Sequence, residues 1–168
     1  MELLEGIFSR RSVRRYTAEP VADHLLREVV RAGCWAPSGL NNQPWRFVVV
    51  RDPAIKEALS RLTRYHRIVQ AAPVLIAVYC DTSAMYHELK DHLAMGACLQ
   101  NMLLAAHGLG LGSVWLGEIL RNAERVRAVL GLPDGYELMA IVAIGHPVSR
   151  GGRRTSRRSI GELVLKEF

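Results

Sequence analysis

The sequence predicts one domain that combines α-helices with β-strands. A length of 168 residues, of which 49% are apolar and 23% charged, is ordinary for a single globular domain with its own core. Segments with helical spacing of apolar residues are separated by short, almost wholly apolar runs, which are typical of buried strands. No internal repeat or linker-like stretch divides the chain, so residues 1–168 are interpreted as one domain.

The first half of the chain is predicted to form a helix, an extended segment, a second helix, a strand and a third helix. Apolar residues share one face of a helix over residues 2–8, and Asp23 is placed to cap a helix that runs to about Trp35. The apolar run at residues 47–50 predicts a buried strand. The Asp-Pro pair at residues 52–53 has the residue types of a helix start, so a third helix begins there.

The second half is predicted to surround one long helix with strands. Short apolar runs indicate strands at residues 74–79, 113–116 and 138–144, and a short helix is predicted over residues 122–130. The long helix, residues 86–107, is apolar nearly all round and should therefore be buried on several sides. A chain this small cannot easily cover such a helix alone, which indicates a partner subunit packed against it.

Composition and charge limit the classes of partner. The net charge of +6, carried mostly by arginine, favours an anionic partner, either nucleic acid or a phosphorylated cofactor. No apolar run approaches the roughly 20 residues of a membrane span, and the N-terminus lacks the pattern of a signal peptide, so a cytoplasmic protein is expected. The three cysteines have no CxxC spacing and lie in apolar surroundings, so buried free thiols are expected at Cys34, Cys80 and Cys98.

Two stretches resemble motifs whose requirements they do not meet. The glycine-rich residues 108–112 follow a helix and precede a strand, which is the reverse of a dinucleotide-binding loop. We interpret them as the turn that ends the long helix. In residues 87–92 two histidines lie five apart, not four, so they do not share a helical face as in HExxH. The start of a solvated helix is the better interpretation there.

Two arginine clusters are candidate phosphate sites. In an extended segment, alternation would place Arg10, Ser12 and Arg14 on one side, where two guanidinium groups and a hydroxyl form a phosphate clamp. A second cluster could close on the same phosphate, and it consists of Arg153, Arg154, Arg157 and Arg158. The alternative for the first cluster is a solvated basic turn. For the second it is a basic tail or a nucleic-acid patch, although the aromatic residues that single-strand binding uses are missing there.

The segment 36–47 is the candidate holder of a planar ligand. Its two prolines restrict the backbone, and Asn41, Asn42 and Gln43 offer amide donors and acceptors in a row. A rigid loop with these groups suits a flat ligand with polar edges. Gly117, at the end of a predicted strand, would let the backbone approach such a ligand closely.

Taken together, these features resemble the FMN-dependent nitroreductase family over the whole chain. The resemblance is carried, in order, by Arg10-Arg11-Ser12-Val13-Arg14, Ala36-Pro37-Ser38, Asn41, Gln43-Pro44-Trp45, Gly96-Ala97, Gln100-Asn101, Gly108-Leu109-Gly110, Trp115-Leu116-Gly117 and Ala143-Ile144-Gly145-His146-Pro147. It implies an α+β fold, with a mostly antiparallel sheet flanked by helices. It also implies an intertwined homodimer in which the C-terminal segment of each chain adds to the partner's sheet. The apolar residues of segment 160–168 agree with that arrangement.

The resemblance implies two FMN sites at the dimer interface, each built from both subunits. One subunit would bind the phosphate and ribityl chain through its N-terminal segment and late arginines, and the backbone amides of a strand end would face the redox edge of the flavin. The other would contribute its polar loop. The implied cofactor-binding residues are Arg10, Arg11, Ser12, Arg14, Pro37, Ser38, Gly39, Asn41, Gln43, Leu116, Gly117, Arg157 and Arg158.

The implied activity is hydride transfer from NADH or NADPH through FMN to a nitroaromatic, quinone or similar small electrophile, in a ping-pong cycle. Such chemistry needs no protein nucleophile and no metal, because the flavin carries the redox step. Many members have an acidic residue where Leu116 stands, and the region between the second strand and the long helix is short here. The alternatives are reductive dehalogenation, flavin fragmentation or heterocycle oxidation on the same fold, a flavin-binding protein of low turnover, or a nucleic-acid binder.

Overall fold

The computed structural model describes residues 2–149 and 156–168. Over these residues the strands form one antiparallel sheet in the order β1-β2-β4-β3. The strands are β1 Trp45–Val50, β2 Val74–Asp81, β3 Gly112–Leu116 and β4 Tyr136–Gly145. The helices are α1 Leu3–Ser9, α2 Asp23–Cys34, α3 Pro53–Ser60, α4 His66–Ala71, α5 Glu88–Gly108, α6 Ala123–Val129 and α7 Ile160–Leu163. The α+β fold with an antiparallel sheet flanked by helices is therefore confirmed.

Two apolar cores cover the two faces of the sheet. Strand β2 explains the division, because its side chains alternate between faces and nearly all of them are buried. Ile76 and Val78 pack into one core with α2 and α5, whereas Leu75 and Ala77 pack into the other with α3, α4 and α6. Burial on both faces is why β2 is an unbroken apolar run rather than an alternating one.

Strand β1 was expected to be buried, and that part of the prediction is wrong. It occupies an edge of the sheet and pairs only with β2 among the described strands. Trp45 and Val50 at its ends are buried, but Val49 is 45% exposed. An apolar run marks a strand without marking its place in the sheet, so the sequence pattern could not distinguish an edge from the centre.

The two helices that follow an aspartate begin in different ways. Helix α3 begins at residues 52–53, as predicted, and Asp52 caps it by accepting a hydrogen bond from the backbone N–H of Ile55 at 2.9 Å. Ala22, not Asp23, is the N-cap of α2, and the carboxylate of Asp23 instead lies 2.6 Å from Nη2 of Arg51. A tertiary ion pair has thus replaced the local cap.

Helix α5 confirms the predicted long helix and its end. It stops at Gly108, and Gly110 follows with φ of 77°, a left-handed value that favours glycine. The N–H of Leu111 donates to the carbonyl of Ala106 at 2.8 Å, which closes the turn. The described residues leave one side of the helix uncovered, because Leu89 and Leu93 are 64% and 68% exposed.

The C-terminal segment leaves the body of the chain. Ser159 and Glu162 form a capping box that starts α7. Every residue from 159 to 168 is nevertheless exposed, including Leu165 and Phe168. The expected docking of this apolar segment is therefore not made within the described chain. Across residues 2–149 and 156–168, none of the helices has both the length and the apolarity that a membrane crossing requires.

Candidate functional site

The N-terminal arginine segment lines a cavity of about 620 Å³ beside the start of β3 and the end of α5. Three of the predicted residues, Arg11, Ser12 and Arg14, lie in its wall. The remaining wall includes Ser9, Arg15, His107, the turn 108–111, Ser113, Pro147 and Ser149. Cationic and hydroxyl groups thus converge on one space, which suits an anion with several oxygen acceptors.

Backbone contacts to the sheet hold this segment extended, as the sequence predicts. The N–H of Val13 donates to the carbonyl of Ser113 at 2.9 Å, and the N–H of Val148 donates to the carbonyl of Arg15 at 3.2 Å. The absence of a side chain at Gly112 permits this close approach. A Cβ atom there would stand 2.6 Å from Cγ1 of Val13, which is too close for a normal contact.

Tyr16 fixes the end of the segment. Its ring is buried, and its hydroxyl lies 2.6 Å from the carbonyl oxygen of Val13 and 3.2 Å from that of Ala143. Burial raises the pKa of Tyr16, with Arg14 opposing, so the phenol keeps the proton that it donates. The tyrosine therefore ties the arginine segment to β4.

The predicted alternation of side chains is not what the structure shows. Consecutive residues from Arg11 to Arg15 all line the cavity, whereas Arg10 lies outside this lining. Arg10 is half-buried, and its Nε has no hydrogen-bond partner among the described residues. Its pKa is lowered by burial and then by the charges of Arg11 and Arg157. Arg10 thus does not share the cavity with Ser12 and Arg14, contrary to the predicted alternation.

His107 is a cavity residue that the sequence did not indicate. It lies in the last turn of α5, and its Nε2 stands 2.9 Å from Oγ of Ser9. Burial lowers the pKa of His107, and Arg10 and Arg11 lower it further, with Glu5 opposing. The imidazole is therefore neutral at pH 7. A helix-terminal histidine has no local pattern that would have placed it beside Ser9.

The loop at residues 36–44 is conformationally unusual. Leu40, Asn41 and Gln43 have φ values of 54°, 55° and 48°, in the left-handed region that residues with side chains seldom occupy. Such strain persists where the surroundings enforce it and is concentrated at functional sites. Within the loop, the N–H of Gln43 donates to Oγ of Ser38 at 3.1 Å.

The buried carboxylate of Asp91 anchors the loop through hydrogen bonds. Nδ2 of Asn42 donates to Oδ1 of Asp91 at 2.6 Å, and Oδ2 of Asp91 accepts from the N–H groups of Tyr86 and His87 at 3.0 and 2.8 Å. Asp91 is 0% exposed. Burial alone would raise its pKa, but the hydrogen bonds from Asn42, His87 and Tyr86 outweigh burial and lower it. The amide of Asn42 is thus committed inside the chain rather than offered to a ligand.

The end of β3 is open at Gly117. Gly117 is exposed, whereas Leu116 is buried in the core, so Gly117 is the one of these two residues that is open to a ligand. The next residue, Glu118, accepts from Oγ1 of Thr63 at 2.7 Å and from the N–H of Arg64 at 3.2 Å. These bonds fix the strand end against the segment before α4, a contact that the sequence did not predict.

The predicted site residues fall into separate groups within one chain. The arginine cavity shares no lining residue with the loop 36–44 or with Gly117. Arg157 lies close enough to Arg10 to lower its pKa, and Arg158 is exposed. The predicted Arg153 and Arg154 lie outside the described residues.

Other candidate groups carry structural roles. Nε2 of His92 lies 2.9 Å from Oε2 of Glu137, so this histidine joins α5 to β4. Cys80 and Cys98 are buried free thiols, as predicted, whereas the prediction of burial is wrong for Cys34, which is a free thiol but exposed. Burial raises the pKa of Cys98 to about 12, with Cys34 adding to the effect, which makes it an unreactive thiol. Within the described part of the chain, no group of three or more His, Cys, Asp and Glu residues is arranged to hold a metal.

Comparison with known proteins places these features in one family. The sequence profile of the nitroreductase family matches residues 7–66 and 60–146. A Thermus thermophilus NADH dehydrogenase is 38% identical over 177 residues, covering 84% of this chain and 85% of that protein. A Methanothermobacter thermautotrophicus protein assigned as an NADH dehydrogenase/NAD(P)H nitroreductase is 33% identical over 158 residues, covering 92% and 82%.

A solved structure supports the same assignment at the level of the fold. A Desulfovibrio desulfuricans protein assigned as a nitroreductase, crystallised in complex with FMN, superposes with a TM-score of 0.94 at 50% identity. The match covers 99% of this chain and 97% of that one. The resemblance drawn from the short motifs is confirmed: the chain belongs to the nitroreductase family.

Proposed function

We propose that the chain is an FMN-dependent oxidoreductase that takes hydride from NADH or NADPH and passes it, in a ping-pong cycle, to a small electrophile such as a nitroaromatic or a quinone. The observation that carries this proposal is the cavity whose wall combines Arg11, Ser12 and Arg14. The FMN complex of the 50%-identical relative supports the choice of flavin.

The donor set fits the polar end of FMN. A phosphate monoester carries a charge of about −1.5 to −2 at pH 7 and three strong acceptor oxygens, which guanidinium and hydroxyl groups match. Arg11, Ser12 and Arg14 would hold that phosphate and the ribityl chain, with Arg10, Arg157 and Arg158 adding positive charge around them. The buried Nε–H of Arg10, which has no partner among the described residues, is consistent with a region built around an anion.

The remaining predicted residues would serve the ring system. When bound, FMN supplies the redox chemistry, and the protein binds and orients it. The N–H of Gly117 and donors of Ser38, Gly39, Asn41 and Gln43 would form hydrogen bonds to the ring edges, and Pro37, which has no N–H, would pack against the ring. Such donors stabilise the negative charge that develops on reduction. The backbone of Leu116 would face the ring, because its side chain is buried in the core.

A homodimer is part of the proposal for two reasons. A single chain leaves many apolar side chains exposed, and it does not bring the predicted site residues together. Apolar side chains are exposed on α1, on α5 and along the C-terminal segment, and these are Leu3, Leu4, Phe8, Leu89, Leu93, Ile160, Leu163 and Leu165. The free edge of β1 borders a groove of about 690 Å³ lined by Leu26, Val30, Phe47 and Val49. We assign this edge to the partner's C-terminal segment and the loop 36–44 to the partner's flavin.

The alternatives keep the fold and change the reaction. Reductive dehalogenation, flavin fragmentation and heterocycle oxidation would each use the same cofactor, and a flavin-binding protein of low turnover would use it little. The cytoplasmic location expected from the sequence belongs to this proposal, as does a small-molecule acceptor rather than nucleic acid.

Anaerobic reduction of the purified protein tests the proposal. The protein should be yellow or take up FMN, the flavin absorbance should bleach with NADH or NADPH, and it should return with a nitroaromatic or quinone. A colourless protein that takes up no FMN on titration would contradict the proposal. Bleaching without reoxidation by any electron acceptor would favour the flavin-binding protein, and product analysis would distinguish the other reactions.

A further inference from the structure

His107 occupies a position in the arginine cavity that the proposed phosphate contacts do not use. It lines the same cavity as Arg11 and Arg14, and its imidazole is anchored by Ser9, which also lines the cavity. The Nε2 to Oγ distance of 2.9 Å joins the end of α5 to the end of α1. Both partners of this hydrogen bond therefore face the space where an anion would lie.

The charged groups around His107 are unbalanced. Arg10 and Arg11 face it from the N-terminal segment, and Glu5 faces it from α1. Arg14 and Arg15 add two further guanidinium groups to the cavity wall. This excess of positive charge, together with burial, lowers the pKa of His107 and disfavours imidazolium. An anion entering the cavity would offset the repulsion, so the protonation state of His107 should respond to occupancy.

We propose that His107 takes up a proton when the phosphate of the cofactor enters the arginine cavity, which makes the Ser9–His107 pair a further part of the phosphate site. This inference rests on the proposed function, because FMN is the phosphate ligand considered. It assigns a ligand-linked proton to a residue that has no other role in the proposed chemistry.

The hydrogen bond between Ser9 and His107 would couple proton uptake to phosphate binding. A neutral imidazole can accept the hydroxyl proton of Ser9 at Nε2, whereas imidazolium has an N–H on both ring nitrogens and can only donate. Proton uptake therefore makes Nε2 the donor and Oγ of Ser9 the acceptor. The O–H of Ser9 is then free to point into the cavity, where it can donate a hydrogen bond to a phosphate oxygen. One proton taken from solvent thus adds a positive charge and frees a donor.

The sign of the pH dependence follows from linkage. The surroundings lower the pKa of His107, and a dianion in the cavity would raise it again, so the FMN-bound protein would bind more protons. FMN affinity should therefore increase as the pH falls between these two pKa values. The contribution of a single site is at most about tenfold in affinity per pH unit, equal to one proton bound.

Isothermal titration calorimetry of FMN into the protein at pH 7 measures this proton directly. Titrations in two buffers with different ionisation enthalpies give the number of protons bound, for the wild type, for His107→Gln and for His24→Gln. The exposed His24 on α2 serves as the matched control. The phosphate of FMN itself titrates with a pKa of about 6, but equally in every variant, so differences between variants isolate the histidine.

The wild type and His24→Gln should take up more protons than His107→Gln, by as much as one, and riboflavin, which lacks the phosphate, should abolish the difference. FMN binding with the same proton count in all three proteins would overturn the inference and leave the proposed function intact. Failure of FMN to bind at all would overturn both.

A second measurement avoids dependence on the variant. In wild-type protein, the pKa of the His107 ring, followed by NMR, should rise on adding FMN and stay unchanged on adding riboflavin. An unchanged pKa with bound FMN would contradict the inference even if His107→Gln failed to fold.

Discussion

The arginine cavity and the loop 36–44 differ in how their polar groups are used, although we assign both to the binding of one cofactor. The cavity concentrates positive charge and hydroxyl groups around open space, and the Nε of Arg10 nearby lacks a partner among the described residues. Several polar groups of the loop are used within the chain, since Nδ2 of Asn42 donates to Asp91 and Oγ of Ser38 accepts from the N–H of Gln43. An anion needs hydrogen-bond donors that are not already used within the protein, whereas a planar ring needs a rigid surface beside it.

The largest expected effect concerns the anchor of the loop. Replacing Asp91 by Ala leaves the N–H groups of Tyr86 and His87 and the amide of Asn42 without their buried acceptor. Unsatisfied buried donors cost about 1–3 kcal/mol each, so we expect a loss of about 3 kcal/mol or more in the free energy of unfolding. Urea denaturation measures it, with the exposed Glu88→Ala on the same helix as the control. Equal stabilities of the two variants would show that the loop is held in another way.

Substitutions in the arginine cavity should change the affinity for FMN rather than the stability of the fold. Arg14→Ala removes a guanidinium from the cavity wall, and we expect FMN affinity to fall by about 2 kcal/mol, or roughly thirtyfold, through the lost charge-assisted contact. Fluorescence titration with FMN checks this, and riboflavin affinity should hardly change. Arg125→Ala, an exposed arginine on α6, is the control. An equal loss for riboflavin and FMN would remove the phosphate contact from Arg14.

The packing of the arginine segment against β3 can be altered without substituting a charged residue. Gly112→Ala would bring a Cβ atom to 2.6 Å from Cγ1 of Val13, and overpacking of this kind costs about 1–3 kcal/mol. The segment should lift from β3, so hydrogen exchange at the Val13 N–H should accelerate and FMN affinity should fall. The double variant Gly112→Ala/Val13→Ala should recover much of both. Unchanged exchange in Gly112→Ala would indicate that the segment is not seated on the glycine.

The smallest expected effect is the pH dependence of the loop anchor. The pKa of Asp91 is lowered in the folded chain, so its contribution to stability is present above the pKa of an unfolded aspartate, about 3.9, and is lost as the pH falls through the lower folded value. The stability difference between the wild type and Asp91→Asn should therefore shrink below pH 4. Urea denaturation at pH 5 and pH 3 measures the change. A difference that is constant over this range would mean that the charge of Asp91 is not what holds the loop.

Local patterns predicted the elements well and their positions poorly. The apolar run of β2 and the all-round apolar α5 indicated buried elements because burial itself requires those residues. Whether β1 was an edge or a central strand depended on strands far away in the chain. Asp23 fits a cap pattern as well as Asp52 does, and only the distant Arg51 decides between a cap and an ion pair.

The site was predictable only where a motif carried it. The arginine segment, the loop and the strand end were candidates because of their residue types, and the family resemblance then assigned them to one cofactor. His107 pairs with a serine 98 positions away, and Asp91 with an asparagine 49 positions away, so neither has a local signal. Contacts of this kind follow from the packing of α5 on the sheet, which no spacing rule expresses.

The central claim is that the cavity of one subunit and the loop of the other hold a single FMN. Analytical ultracentrifugation over a dilution series, detected at the flavin absorbance and at the protein absorbance, tests it most directly. We predict that flavin sediments only with the dimer, and that dilution to monomer releases it. Flavin that sediments with the monomer at full occupancy would contradict the shared site.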